Sequence, residues 1–97
     1  MPIPDYQTIM LPLLELAADG EQHSAPEAVK QLAVLFSLTE DEVEELLPSG
    51  KQAKFRNRIG WARTYLKQAG LLEYPARGKF RITELGKALL AQSPARV

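Results

Sequence analysis

A chain of 97 residues without a cysteine has room for one hydrophobic core, which excludes the larger enzyme folds, disulfide stapling, thiolate chemistry and Cys-based zinc or iron–sulfur centres. Hydrophobic residues at 45% and charged residues at 25%, short apolar runs, and no basic-then-apolar start together predict a soluble, cytoplasmic chain with no membrane partner. The net charge of zero conceals two opposed halves: residues 1–47 hold ten acids and one base, Lys30, for −9, and residues 48–97 hold eleven bases against Glu73 and Glu84, for +9. Such a dipole directs its positive end to a polyanion, with pairing between the halves as the alternative.

The first predicted element is a helix over residues 6–18. Ile9, Leu13, Leu16 and Ala17 share a stripe with Met10 and Leu14 beside it, and Asp19-Gly20 supplies the stop. Pro12 should bend this helix or mark its true start, because proline lacks the amide donor and crowds the preceding turn. His23, the sole histidine, reads as a solvated turn residue. Ser24 is the N-cap of a second helix, with Pro26 in its first turn, Glu27 in capping-box register, and Val29, Leu32, Ala33 and Phe36 on its buried face. Thr39 and Glu42 repeat the capping-box spacing and open a short helix that ends near Leu47, before Pro48-Ser49-Gly50.

The longest predicted helix runs from Ala53 to Ala69 with Gly70 as its left-handed cap. Phe55, Ile59, Ala62, Leu66 and Ala69 recur at steps of four and three and define its core stripe. Arg56, Arg63 and Lys67 gather on one flank; Asn57, Gly60 and Thr64 lie opposite the core; Trp61, Tyr65, Lys54 and Arg58 occupy the other flank. The pattern then turns to alternation. Leu72 and Tyr74 face the core, and after Pro75-Ala76-Arg77-Gly78 so do Phe80 and Ile82, with Lys79 and Arg81 on the opposite side. This predicts a two-stranded hairpin with Arg77 at its tip. Thr83 caps a last helix through Ala91 that buries Leu85, Leu89 or Leu90, and residues 93–97 begin a linker or a disordered tail.

The predicted fold is therefore mainly α with a small β-hairpin, a winged helix-turn-helix over residues 1–92. A helix of this kind fits the major groove. Arginine can chelate guanine, asparagine can read adenine, and further cations neutralise phosphates. The candidate DNA-binding residues are Lys54, Arg56, Asn57, Arg58, Arg63, Thr64 and Lys67 on the long helix and Arg77, Lys79 and Arg81 on the hairpin. Trp61 and Tyr65, one turn apart, are read as packing residues, with stacking on a base as the alternative. No catalytic residue, metal site or cofactor is expected. His23 has no second ligand, no serine has a histidine partner, and Gln52-Ala53-Lys54 matches half of a nuclease motif by chance, without the sheet that motif requires.

Several motifs carry a resemblance. The stretch Tyr6 to Gly20 and the stretch Leu47 to Gly86 resemble the N-terminal domain of the Mrr-type restriction endonuclease family, through Met10-x-Pro12, Asp19-Gly20, Leu47-Pro48-Ser49-Gly50, Asn57-Arg58, Trp61-Ala62, Tyr65-Leu66-Lys67, Ala69-Gly70-Leu71, Arg77-Gly78 and Ile82-Thr83-x-x-Gly86. The resemblance implies a winged-helix module that binds double-stranded DNA and targets a restriction endonuclease to methylated substrate. In that family the module precedes a separate metal-dependent nuclease domain, which these 97 residues do not contain, so no enzymatic activity is expected of the chain itself. The implied partners are duplex DNA and, where the 97 residues are a fragment ending at the linker and not a stand-alone relative without cleavage activity, a C-terminal nuclease domain. A protein-interaction role, including a head-to-tail homodimer through the −9 and +9 halves, is the alternative.

Overall fold

The computed structural model describes residues 4–47, 50 and 52–92; Pro48, Ser49 and the expected linker at 93–97 lie outside the described residues. In chain order the elements are α1 (Tyr6–Leu16), a 3-10 turn (Ala17–Asp19), β1 (His23–Ser24), α2 (Ala25–Leu35), α3 (Glu40–Glu44), α4 (Lys54–Gln68), β2 (Leu72–Glu73), β3 (Lys79–Ile82) and α5 (Glu84–Ala91). This is a winged helix-turn-helix, mostly helical with one small antiparallel sheet.

Helices begin where short polar side chains satisfy their orphan amides. The Thr8 amide donates to Asp5 Oδ1 at 2.8 Å, the Glu27 amide to Ser24 Oγ at 3.3 Å, and the Gly86 amide to Thr83 Oγ1 at 3.1 Å. At α3 the capping box closes in both directions: the Glu42 amide donates to Thr39 Oγ1 at 3.1 Å and the Thr39 amide to Glu42 Oε1 at 2.8 Å. α1 runs through Pro12 without a break and ends in the 3-10 turn, where Gly20 adopts φ 79°. The turn that follows α4 passes through Gly70, also at φ 79°, a backbone state that suits a residue without Cβ.

Ile9, Leu13 and Leu14 of α1, Val29 and Leu32 of α2, and Phe55, Ile59, Ala62 and Leu66 of α4 meet Leu72, Phe80 and Ile82 of the sheet in one core. Each of these side chains larger than alanine contributes about 1.5–3 kcal/mol on removal from water, before entropy is set against it. This core fixes the orientation of α4 and leaves its opposite side to solvent.

Four sequence expectations are corrected. The sheet has three strands in the order β1-β3-β2, because His23 and Ser24 pair with Phe80 and Lys79, while Leu72 and Glu73 pair with Ile82 and Arg81. α3 stops at Glu44, before Leu47, since the chain turns back on itself: the Lys54 amide donates to the Glu45 carbonyl at 2.7 Å, and Leu46 bridges to Ala53. Ala69 is exposed, because the helix closes at Gln68 and the chain turns away. Tyr74 is 40% exposed and lies outside the core, because β2 ends at Glu73 and the alternation ends with it. Of the three α5 leucines, Leu89 and Leu90 pack on the core while Leu85 faces solvent.

Candidate nucleic-acid interface

Gravitation of α4 toward the core through Phe55, Ile59 and Leu66 leaves a half-turn of helix surface from Arg63 round to Tyr65. The candidate cations on it divide into two sets. On one flank, the Arg63 guanidinium lies 5.4 Å from the centre of the Tyr74 ring, and Lys67 Nζ lies 5.2 Å from the same centre. A ring face carries negative quadrupolar charge, so one tyrosine engages both cations. Tyr74 immediately follows β2, which ties this flank of α4 to the base of the wing. Arg56, a further two turns back on the same flank, lines a cleft together with Arg63.

The other flank is engaged by the acidic half. Lys54 Nζ donates to Glu45 Oε2 at 2.6 Å, and Arg58 Nη1 donates to the Pro4 carbonyl at 3.3 Å beside the Asp5 carboxylate. The Asp5 carboxyl sits below the usual carboxylate range, chiefly because the Thr8 amide donates to it and secondarily through Arg58. Tyr65 stacks on Tyr6 with centroids 5.0 Å apart, and Trp61 leans on Tyr65 at 6.0 Å. Packing thus accounts for Tyr65, yet Trp61 remains 52% exposed and Tyr65 40% exposed. Opposite the core, Asn57 Nδ2 donates to Gln52 Oε1 at 3.1 Å, and the Thr64 hydroxyl donates to the Gly60 carbonyl at 2.9 Å.

On the wing, Arg77 and Lys79 are exposed, and Arg81 pairs across the strands with Glu73 at 2.8 Å. Phe80 and Ile82 are buried, so the alternation sets Lys79 and Arg81 on the solvent side of β3. Sequence periodicity did not single out Tyr74 as the residue joining helix to wing. Its only signal is that Arg63 and Lys67, four apart on a helix, need an aromatic acceptor on a neighbouring element.

His23 differs most from expectation: it is buried on β1, with Nε2 donating to Asp19 Oδ1 at 2.8 Å and Nδ1 to Glu27 Oε2 at 2.5 Å. Carboxylate oxygens only accept, so this arrangement calls for the doubly protonated imidazolium. Burial alone would lower the His23 pKa; the two carboxylate hydrogen bonds outweigh burial and raise it above 6.5, while both carboxylates are shifted down by hydrogen bonding to the ring. The ring also tilts against Phe80 at 5.9 Å, tying the wing strand to the start of α2. Asp19 and Glu27 sit on opposite ring nitrogens, and among the described residues no three potential ligands converge on a metal. No helix among them is long and apolar enough to cross a membrane.

The family model of the Mrr N-terminal domain matches residues 6–92. The chain belongs to the Mrr N-terminal domain family. It is 32% identical over 95 residues to the type IV methyl-directed restriction enzyme EcoKMrr of Escherichia coli (strain K12). That match covers 97% of this Mrr N-terminal domain chain and 31% of the relative, so the chain spans about a third of the curated protein it matches. No solved structure matches it.

Proposed function

We propose that this Mrr N-terminal domain binds double-stranded DNA through α4 and the wing, and that it delivers a restriction endonuclease to its substrate. The observation that carries the reading is the convergence of Arg63 and Lys67 on Tyr74, which makes the basic flank of α4 and the base of the wing one surface. Arg56, Arg63, Lys67, Arg77 and Lys79 form its principal phosphate contacts, and Asn57 and Thr64 face the bases. Arg81, paired with Glu73, lies at the margin. Lys54 and Arg58 hold α4 to the acidic half and contribute to its placement. Membership of a restriction-enzyme family supports DNA as the ligand and a nuclease domain as the partner in the whole protein.

Fluorescence anisotropy with a labelled duplex tests this. If about four to six phosphates are contacted, log affinity falls with log salt at a slope of about −4 to −5. Replacing Arg56, Arg63 and Lys67 together by glutamine removes most of the affinity and leaves the circular dichroism spectrum unchanged. An absence of duplex binding at low salt, or full affinity in the triple variant, overturns the reading. The relative is methyl-directed by name. Titrating methylated and unmethylated duplexes of one sequence therefore assigns methyl discrimination to this chain if the affinities differ, and confines it to backbone anchoring if they are equal.

A second reading rests on a separate observation. Val34 and Leu35 of α2 are 78% and 61% exposed beside a groove of about 440 Å³ between α1 and α2, a face suited to protein contact. Sedimentation velocity at low and high salt tests self-association through this face. A monomer at every salt concentration removes it.

A further inference from the structure

Gly60 stands in the middle of α4 with an ordinary helical backbone, and a Cβ built on it meets nothing within 4 Å. Neither a left-handed conformation nor packing within the protein therefore requires glycine there. The residue is nonetheless unfavourable, since glycine in a helix interior loses more backbone entropy than alanine on folding. The space that a side chain would fill there is open to a ligand.

The surroundings of Gly60 indicate what that is. A cleft of about 250 Å³ opens above it between α4 and the first turn of α2, bordered by Ala25, Pro26, Gln52, Arg56 and Arg63. Arg56 and Arg63 stand one turn to either side of Gly60, so two arginine side chains border the cleft around a stretch of bare helix backbone. Arg63 Nε is shielded from water and has no hydrogen-bond partner among the described residues, while its guanidinium lies over the Tyr74 ring. A shielded N–H is costly to leave unpaired. Glu27, the acid of the α2 first turn, is committed to His23 and does not border the cleft. A cleft bordered by two arginines and no acid suits an anion with several acceptor oxygens.

We infer that the cleft seats one backbone phosphate of duplex DNA, held by Arg56 and Arg63 and lying directly against the α4 backbone at Gly60. The inference rests on the DNA-binding reading and adds to it a place of closest approach. Gly60 is a positioning residue: it sets how deeply α4 approaches the duplex.

The test compares the unaltered chain with Gly60→Ala and Gly60→Leu by thermal melting and by duplex titration across salt concentrations. Relief of the glycine penalty raises the melting temperature of Gly60→Ala by about 3–6 °C. The same change weakens duplex binding several-fold, and Gly60→Leu weakens it further and reduces the magnitude of the salt slope by about one, as expected when one phosphate contact is lost. A more stable protein that binds its ligand less well is the signature. Unchanged affinity and slope in both variants, with the Arg56/Arg63/Lys67 variant still defective, removes the phosphate seat and leaves the DNA-binding reading intact. Failure of the unaltered chain to bind any duplex removes both. A lowered melting temperature in Gly60→Ala assigns the glycine to folding and also overturns the inference.

Discussion

A Cβ on Gly86 would lie 2.5 Å from the backbone carbonyl oxygen of Leu71. The same Cβ would fall 2.6 Å from Ile82 Cγ1, so α5 rests on the start of β2 and the end of β3 through a glycine contact. Thr83 reinforces the junction, donating from its amide to the Leu71 carbonyl at 3.0 Å and from its hydroxyl to the Gly70 carbonyl at 2.6 Å. The backbone oxygen has no flexible side chain's freedom to move aside. Gly86→Ala is therefore expected to destabilise the fold by about 1–3 kcal/mol through overpacking. Urea unfolding followed by circular dichroism reads this as a lowered midpoint, and an unchanged midpoint would show that α5 can shift without cost.

The pH dependence of stability follows from His23. Its folded pKa is raised above 6.5, so its contribution is fully present below the unfolded value and is lost as pH rises through the folded value. Asp19 and Glu27 act in the opposite sense: their folded pKa values are lowered, and their contribution is lost as pH falls through those values. Stability should therefore decline on the alkaline side of the histidine titration and again in acid. His23→Gln should flatten the alkaline limb as pH rises above the ordinary imidazole value. Unfolding free energies measured across that rise decide it, and an equally steep limb in the variant places its origin elsewhere.

Tyr74 separates a structural aromatic from an organising one. Tyr74→Phe keeps the ring face beneath Arg63 and Lys67 and should retain duplex affinity. Tyr74→Ala releases both cations and should weaken binding about three- to tenfold, in line with the strength of exposed cation–π contacts, without a matching loss of stability. Equal binding by both variants in anisotropy titrations would mean that Arg63 and Lys67 need no such platform.

The acidic α3 depends on its reciprocal cap. Thr39→Ala removes the acceptor for the Glu42 amide and should cost about 0.5–2 kcal/mol. Thr39→Ser should recover most of that loss, because its hydroxyl can occupy the same position. Chemical denaturation of the two variants checks the order, and coincident curves for Ala and Ser would rule out the cap as the source.

Local features of this fold were legible because they are written in neighbouring residues. Ser24, Thr39 and Thr83 announced their helices, Gly20 and Gly70 announced ends, and the Phe55–Leu66 stripe announced the buried face of α4. β1 was not legible, since two residues are too few to display an alternation and their partners, Phe80 and Lys79, lie far along the chain. The burial of His23 has the same origin: its carboxylate partners are local, but the Phe80 ring that covers it is not. The helical wheel grouped Arg56, Arg63 and Lys67 correctly on one flank, yet could not foresee that Tyr74 would leave the core to meet them. Nor does a wheel reveal which cations are already engaged, as Lys54 is by Glu45.

The central strand of the sheet is flanked on each side by a partner only two residues long. Each outer rim consequently offers too few free amides and carbonyls to template another chain. Copies of this domain at high local concentration therefore lie side by side without their sheets fusing.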